Sequence, residues 1–231
     1  MTSALYADLG RIRYGPAWAI QRRLQRLREE GRVSDVILVL EHEPVITIGR
    51  AGRGDHILAP RDELARAGVE VVAIERGGDV TYHGPGQLVL YPILDLRERG
   101  KDLHLYVRDL EEIMIRVARS VGVEAVRRAG FPGVWHDRGK LGAVGIHVRN
   151  WITMHGLALN VDLAPDGFRW IVPCGIAGAR AVSLSDIVGH PVPMGEARDA
   201  ARTAVADVLG VELVPALEEE VAEWRSESPI G

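Results

Sequence analysis

The only cysteine of the chain, Cys174, lies between a proline and a glycine. This setting predicts a thiol on a turn, and Gly175 would let a backbone N–H approach a reacting carbonyl oxygen, as an oxyanion hole requires. The thiolate is the nucleophilic form of cysteine, and a nearby cation would favour it. The alternative is a buried structural thiol, the usual fate of a free cysteine. A single cysteine also excludes an intramolecular disulfide and argues against a cysteine-based metal site.

Lys140 is the candidate for that cation. Of the 28 lysines and arginines in the chain, only Lys101 and Lys140 are lysines. A compositional drift towards arginine explains this scarcity, but lysine can have its pKa lowered and can pass a proton, whereas arginine stays charged. Glycines on both sides of Lys140 favour close packing or the approach of a ligand, with a solvated turn as the alternative. Lys101 is interpreted as an ordinary loop lysine.

The densest group of candidate binding residues lies in Glu75–Tyr91, with the sequence ERGGDVTYHGPGQLVLY. Its glycines would also suit an ordinary hairpin. A hairpin does not explain why an arginine, two hydroxyl side chains and a histidine occur together in the same short segment: Arg76, Thr81, Tyr82 and His83. We therefore predict that this stretch forms the wall of a binding site, with the remaining chemistry arranged around it.

Two histidines, His83 and His155, each precede a glycine in a strongly patterned segment, and either could orient a substrate or transfer a proton. The other histidines lack such a setting and are predicted to be surface or structural residues: His42, His56, His104, His136, His147 and His190. No HExxH or other paired spacing predicts a metal site. The chain also lacks a Walker lysine motif, a G-x-S-x-G elbow and a Rossmann glycine fingerprint.

The bulk composition is that of an ordinary globular protein. The 231 residues include 47% hydrophobic and 26% charged residues, and their length suits one large domain or two small ones. A net charge of −4 gives no indication of a broad nucleic-acid surface. No apolar run is long enough for a membrane span, and the first residues lack the apolar core of a signal peptide, so the expected location is the cytoplasm.

The elements that position these residues follow from hydrophobic periodicity. Apolar residues at helical spacing predict helices over Pro16–Glu30, Arg61–Ala67, Asp102–Val121 and Met194–Leu209, and the acidic stretch Glu218–Glu223 either extends the last helix or forms another. Short apolar runs predict strands over Val36–Leu40, Val45–Ile48, Val69–Ile74, Gln87–Pro92, Val123–Val126, Gly133–His136, Leu141–Val148 and Trp151–Val161, with the first two as neighbours. The interleaving predicts an α+β protein with a mixed, mostly antiparallel sheet.

Four segments in this order resemble the lipoate-protein octanoyltransferases: RGGDVTYHGPGQ (76–87), GKLGAVGIHV (139–148), HGLALNV (155–161) and PCGI (173–176). Tyr14, Gly49-Arg50 and the helix near the C-terminus also fit this family. The resemblance implies the catalytic-domain fold of biotin and lipoate protein ligases, with residues 1–231 forming a single octanoyltransferase domain. It implies transfer of an octanoyl group from acyl carrier protein to a lysine of a lipoyl domain, the first step of endogenous lipoate assembly.

The resemblance also implies roles for particular residues. Cys174 would carry an acyl-thioester intermediate, and Lys140 would lower the pKa of its thiol. Substrate would be bound by the segments Arg76–His83, Ala143–Gly145 and Gly156–Ala158, namely by Arg76, Gly77, Gly78, Asp79, Val80, Thr81, Tyr82, His83, Ala143, Val144, Gly145, Gly156, Leu157 and Ala158, with possible support from His155. No cofactor or metal is expected, because the donor carries its phosphopantetheine on the carrier protein. The acceptors would be lipoyl domains of 2-oxoacid dehydrogenase complexes and the glycine cleavage H protein, without nucleic acid or membrane.

The chain departs from the family pattern at two places. Asp79 stands where relatives usually carry a basic or amide side chain, and Ala143-Val144 replaces a common Ser-Leu. Two other functions compete with the transferase. An ATP-dependent lipoate or biotin ligase would share the fold without needing a nucleophilic cysteine, and a non-catalytic acyl-binding protein would need neither Cys174 nor Lys140.

Overall fold

A computed structural model describes residues 2–163, 165–172 and 180–226 of the chain. Its strands are β1 (Thr2–Ile12), β2 (Asp35–His42), β3 (Val45–Ile48), β4 (Glu70–Ala73), β5 (Val80–His83), β6 (Gln87–Ile93), β7 (Val126–Arg128), β8 (Phe131–His136), β9 (Gly139–Arg149), β10 (Ile152–Asn160) and β11 (Val211–Pro215). Its α-helices are α1 (Tyr14–Glu29), α2 (Arg61–Arg66), α3 (Leu103–Ser120), α4 (Leu184–Val188), α5 (Met194–Leu209) and α6 (Glu218–Ser226). Short 3₁₀ turns occur at Leu96–Arg99 and Pro165–Trp170.

Eight strands form the main sheet, in the order β11-β1-β2-β6-β10-β9-β8-β7. The pairs β11–β1 and β1–β2 are parallel, and the other pairs are antiparallel. The smaller sheet has the order β4-β3-β5, with β3 parallel to β4 and antiparallel to β5. This arrangement confirms the predicted α+β class with a mixed, mostly antiparallel sheet flanked by helices.

Helices cover both faces of the main sheet. The apolar sides of α3 and α5 pack together on one face, around residues such as Leu110, Met114 and Ala201. Helix α1 packs on the other face through Ala17, Ile20 and Leu24, as its apolar spacing predicts. Asp102 caps α3 by accepting hydrogen bonds from the first backbone N–H groups of the helix, which otherwise lack partners. The central strands are therefore buried on both sides.

Several boundaries and pairings differ from the sequence-based expectations. The prediction that Val45–Ile48 pairs with Val36–Leu40 is wrong, because the chain turns into the smaller sheet at Pro44, whose carbonyl oxygen accepts from Glu70 N–H. Only Val126 of the predicted strand Val123–Val126 is extended in a strand, which continues to Arg128. Strands β1, β5 and β11 and helix α4 were not predicted. No helix among the described residues is long and apolar enough to cross a membrane.

Candidate active site

A cleft of about 500 Å³, counted to its open mouth, lies where β9 and β10 of the main sheet face β5 of the smaller sheet. Most of the predicted binding residues line it, together with Tyr14 and Tyr91. The predicted residues that line it are Arg76, Gly77, Gly78, Asp79, Val80, Thr81, His83, Ala143, Val144, Gly145, His155, Gly156, Leu157 and Ala158. Segments whose nearest ends, His83 and Ala143, are 60 positions apart in the sequence therefore meet around one concave surface.

The floor of the cleft is made by small residues facing each other across two strands. Gly145 pairs with Gly156, and Ala143 pairs with Ala158, in the antiparallel ladder of β9 and β10. A Cβ atom on Gly156 would lie 2.4 Å from the carbonyl oxygen of Leu90, so no larger residue fits without a backbone shift. This floor exposes backbone and methyl groups, and it suits an extended apolar chain better than a polar ligand.

Arg76 fastens the glycine turn at the mouth of the cleft. Its guanidinium donates to the carbonyl oxygen of Thr47 at 2.6 Å and to Thr47 Oγ1 at 2.8 Å. The next residue, Gly77, donates its N–H to the carbonyl oxygen of Ile146 on β9 at 2.9 Å. The turn is thus tied to the smaller sheet on one side and to the main sheet on the other.

Lys140 borders one end of the cleft. It lines an adjoining pocket of about 310 Å³, counted to its open mouth, that shares Thr81, Ala143 and Ala158 with the cleft. Its Nζ atom donates to the carbonyl oxygen of Pro132 at 3.2 Å and lies 5.2 Å from the centre of the Trp135 ring. Its backbone is bonded to the segment that follows residue 179, through Lys140 N to Arg180 O at 2.7 Å and Val182 N to Lys140 O at 3.0 Å. The lysine is 7% exposed, so its position is fixed by packing.

A chain of side-chain amides that begins beside Lys140 holds His83. Gln87 Nε2 donates to the carbonyl oxygen of Tyr82 at 3.3 Å and to Asn160 Oδ1 at 2.9 Å, which leaves Gln87 Oε1 facing His83 Nδ1 at 2.6 Å. Because this oxygen only accepts, the proton of neutral His83 is assigned to Nδ1, and Nε2 is left as an acceptor. Burial, with a smaller effect of neighbouring His42, lowers the pKa of His83 to about 3. His83 is therefore neutral at physiological pH.

Aromatic side chains gather at the opposite end of the cleft. His42 Nε2 and the Tyr91 hydroxyl are 2.7 Å apart, and the Tyr14 hydroxyl is 3.5 Å from His155 Nδ1. The Tyr14 ring lies 5.0 Å from His42 and 6.4 Å from His83, centre to centre. Burial lowers the pKa of His42 to about 4 and raises the pKa of the Tyr91 hydroxyl. His42 and Tyr91 are consequently neutral, although the guanidinium of Arg76 acts on the pKa of the Tyr91 hydroxyl.

His155 has an unusual backbone, with φ of 61°, a left-handed conformation that is costly for a residue other than glycine. Its N–H donates to Gln21 Oε1 at 2.9 Å, and its Nε2 lies 3.7 Å from Glu75 Oε2. Burial lowers the pKa of His155, although the nearby Glu75 carboxylate acts in the opposite direction. Glu75 itself accepts from Trp18 Nε1 at 3.1 Å. The strained residue is thus held by contacts from α1 and from the turn that carries Arg76.

Tyr82 does not line the cleft, because its side chain points to the opposite face of β5 and packs against Phe168 and Trp170. Cys174, the predicted nucleophile, lies outside the described residues. Asp79 pairs with His56 of the preceding loop.

Sequence reasoning did not single out His42 and Tyr91 as parts of the site. The signal for Tyr91 was a hydroxyl inside an otherwise apolar strand, since a buried tyrosine usually finds a partner for its O–H group. The partner here is His42, which was predicted to be a surface or structural residue and is fully buried.

Comparison of the sequence with known proteins places this chain in a family. The family described as lipoyl protein ligase A/B catalytic domain matches residues 13–206. The chain belongs to that family. An octanoyltransferase of Geobacter metallireducens is 51% identical over 83% of this chain and 86% of its own length. The resemblance seen in the motifs is therefore confirmed, as is the prediction that the protein is an acyltransferase.

Solved structures with the same fold are more distant in sequence. A lipoate-protein ligase A bound with ATP aligns with a TM-score of 0.74 at 17% identity, covering 97% of this chain and 92% of its own. A bi-partite lipoate protein ligase from Thermoplasma acidophilum, described with its E2 lipoyl domain, aligns with a TM-score of 0.70 at 15% identity, covering 97% and 90%. At such identities the likeness concerns the fold alone.

Proposed function

We propose that the protein transfers an octanoyl group from acyl carrier protein to a lysine amine of a lipoyl domain, through a thioester on Cys174. The observation that carries the proposal is the cleft itself, which has a floor of glycine and alanine and adjoins Lys140. An apolar chain fits such a floor, and the name of the 51%-identical relative specifies an octanoyl group. The role of Cys174 is supported by its being the only thiol in the chain and by its PCGI motif.

In the first half-reaction, the Cys174 thiolate attacks the carbonyl carbon of the carrier thioester. A new C–S bond forms to Cys174 while the bond to the carrier sulfur breaks, and the carrier leaves as a thiol after taking a proton from Lys140. The exchange replaces one thioester by another, so it requires no external energy source. Lys140 is left as a neutral amine beside the acyl group.

In the second half-reaction, the amine of the target lysine attacks the Cys174 thioester. A C–N bond forms, the C–S bond breaks, and neutral Lys140 accepts the proton that the attacking amine loses, which restores the ammonium and the thiolate. The product is an amide, which is more stable than the thioester it replaces. The carbonyl of Pro132, 3.2 Å from Lys140 Nζ, accepts an N–H of either protonation state and keeps the side chain in place throughout.

The remaining features of the proposal follow from the same reaction. Residues 1–231 would act as one catalytic domain in the cytoplasm, without a bound cofactor or metal. The acceptors would be lipoyl domains of 2-oxoacid dehydrogenase complexes and the glycine cleavage H protein.

Intact-protein mass spectrometry after mixing with octanoyl-acyl carrier protein, without ATP, tests the proposal. We expect an octanoyl adduct that hydroxylamine removes, that a lipoyl domain discharges, and that Cys174→Ala lacks. If modification of the lipoyl domain required ATP and free octanoate, the protein would be a ligase. If no acyl group were transferred under either condition, the protein would be an acyl-binding protein and the proposal would be wrong.

A further inference from the structure

The hairpin formed by β7 and β8 stands at the outer edge of the main sheet, next to Lys140. Pro132 of this hairpin supplies the carbonyl that accepts from Lys140 Nζ at 3.2 Å. The preceding residue, Phe131, is 45% exposed, and Val126 on the neighbouring strand is 50% exposed. The hairpin therefore presents apolar side chains to the outside while it contacts the candidate catalytic lysine on the inside.

The Trp135 ring connects these outer side chains to the lysine. The guanidinium carbon of Arg128 lies 4.5 Å from the ring centre, Lys140 Nζ lies 5.2 Å from it, and Phe131 packs edge-on at 6.2 Å. Trp135 itself is 3% exposed. Arg128 and Phe131 are thus held in place against a buried ring that also touches the reacting end of the cleft.

The hairpin is fixed to the body of the protein by another charged residue. Buried Glu111 of α3 accepts from Gly133 N–H at 2.9 Å and pairs with Arg127 at 3.2 Å. Arg127 is consequently neutralised. No ion pair to Arg128 occurs within the part of the chain that the structure describes, and its charge faces outwards from the Trp135 ring.

The border of the Lys140 end is positive in an otherwise acidic chain. Without the neutralised Arg127, residues 126–138 carry two arginines and one aspartate, a formal charge of +1, whereas the whole chain has a net charge of −4. Arg180, whose carbonyl accepts from Lys140 N–H, is also exposed on this side. Arginine beside an exposed aromatic ring is a composition typical of protein interfaces, and local positive charge accelerates association with an acidic partner.

We propose that Arg128 and Phe131 form the docking surface for the acidic carrier protein that delivers the acyl thioester. This inference rests on the proposed function. The charge near the reacting group distinguishes the donor protein from the acceptor protein as the occupant of this surface. The donor bears a phosphodiester in the arm that carries its thioester, so it brings negative charge close to the reacting carbonyl. The acceptor brings a lysine, whose ammonium form a positive border repels.

The test compares two acyl donors in steady-state kinetics: octanoyl-acyl carrier protein, and octanoyl-pantetheine, which lacks both the phosphate and the protein. For Arg128→Glu we expect the KM for the carrier-bound donor to rise about tenfold with little change in kcat, and the KM for octanoyl-pantetheine to stay the same. Phe131→Ser should act in the same direction, and Arg128→Lys should restore most of the affinity. The matched control is Arg11→Glu, at an exposed position of β1, a strand that lies five strands from β8 or about 24 Å across the sheet.

The possible outcomes separate the docking surface from the proposed function. Equal losses with both donors would mean that Arg128 supports Lys140 through Trp135, and would overturn the proposal. A raised KM for the lipoyl domain alone would assign the surface to the acceptor and would also overturn it. If the wild-type protein used neither donor, the proposed function would fail, and calorimetric titration with octanoyl-acyl carrier protein would still decide the docking surface. Weaker binding by Arg128→Glu than by Arg11→Glu would support it, and equal binding would not.

Discussion

Replacement of His42 tests whether burial keeps this histidine, at the aromatic end of the cleft, neutral. His42 is fully buried, and its ring nitrogens contact the carbonyl oxygen of Ile12 at 3.0 Å and the Tyr91 hydroxyl at 2.7 Å. Burial lowers its pKa to about 4, against about 6.5 in an unfolded chain. Below pH 6.5 the unfolded state therefore binds a proton that the folded state does not bind until about pH 4.

The sign of the effect follows from this difference in bound protons. The contribution of neutral His42 to stability is complete above pH 6.5 and is lost as the pH falls, at about 1.4 kcal/mol per pH unit, until about pH 4. Between pH 7 and pH 5, this amounts to about 2 kcal/mol in the free energy of unfolding. His42→Gln removes the titrating group, so its unfolding free energy should fall by about 2 kcal/mol less than that of the wild-type protein over the same interval.

Urea unfolding at pH values between 7 and 5, with the m-value checked at each pH, measures this difference. The comparison of slopes is independent of the hydrogen bonds lost in His42→Gln, because those lower the stability at every pH. His190→Gln is the matched control, since His190 is exposed and lies outside the cleft. Parallel curves for wild-type protein and His42→Gln would refute the reasoning, and would mean that the buried histidine takes up its proton as readily as an unfolded one.

The remaining predictions concern catalysis and packing. Lys140→Arg should lower kcat by at least about 100-fold without changing thermal stability, because arginine keeps its proton; near-normal turnover would reduce Lys140 to an electrostatic role. Gly156→Ala should destabilise the fold by about 1–3 kcal/mol in urea unfolding, because its Cβ would meet the Leu90 carbonyl at 2.4 Å, whereas Gly195→Ala in open space should not. Tyr91→Phe should cost about 1–3 kcal/mol by leaving the buried Nε2 of His42 without a partner, and an unchanged midpoint would contradict the hydrogen bond.

The walls of the cleft could be predicted from sequence because each wall is a short segment with an improbable mixture of residue types. Packing alone does not explain the glycines beside Arg76 and His83, whereas the close approach of a ligand does. Strand alternation would have separated the members of this segment. Thr81 and His83 lie on one face of β5 and turn to the cleft, whereas Tyr82 lies on the other face and packs against Trp170.

The pairing of strands and the partners of buried polar groups could not be predicted, because both depend on contacts between distant parts of the chain. Val45–Ile48 follows β2 closely, but its partners are β4 and β5, and β2 pairs with β6 instead. His42 ends an apolar strand like many surface histidines. Its role emerges only when Tyr91, 49 positions further along the chain, lies beside it.

The two ends of the cleft differ in a way that fixes the direction in which an acyl chain lies under the proposed reaction. Lys140 and Gly145 are five residues apart on β9, or about 17 Å at 3.3 Å per residue. Lys140 supplies a charge-carrying group at one end, where the thioester carbonyl and the thiolate must meet. At the other end, burial keeps His42, His83 and the Tyr91 hydroxyl neutral. An apolar tail packs against these neutral side chains without losing hydration of its own, whereas a charged head group would have to give up its bound water there. The pKa shifts of the buried histidines therefore favour an acyl chain that lies with its methyl end towards Tyr14 and Tyr91.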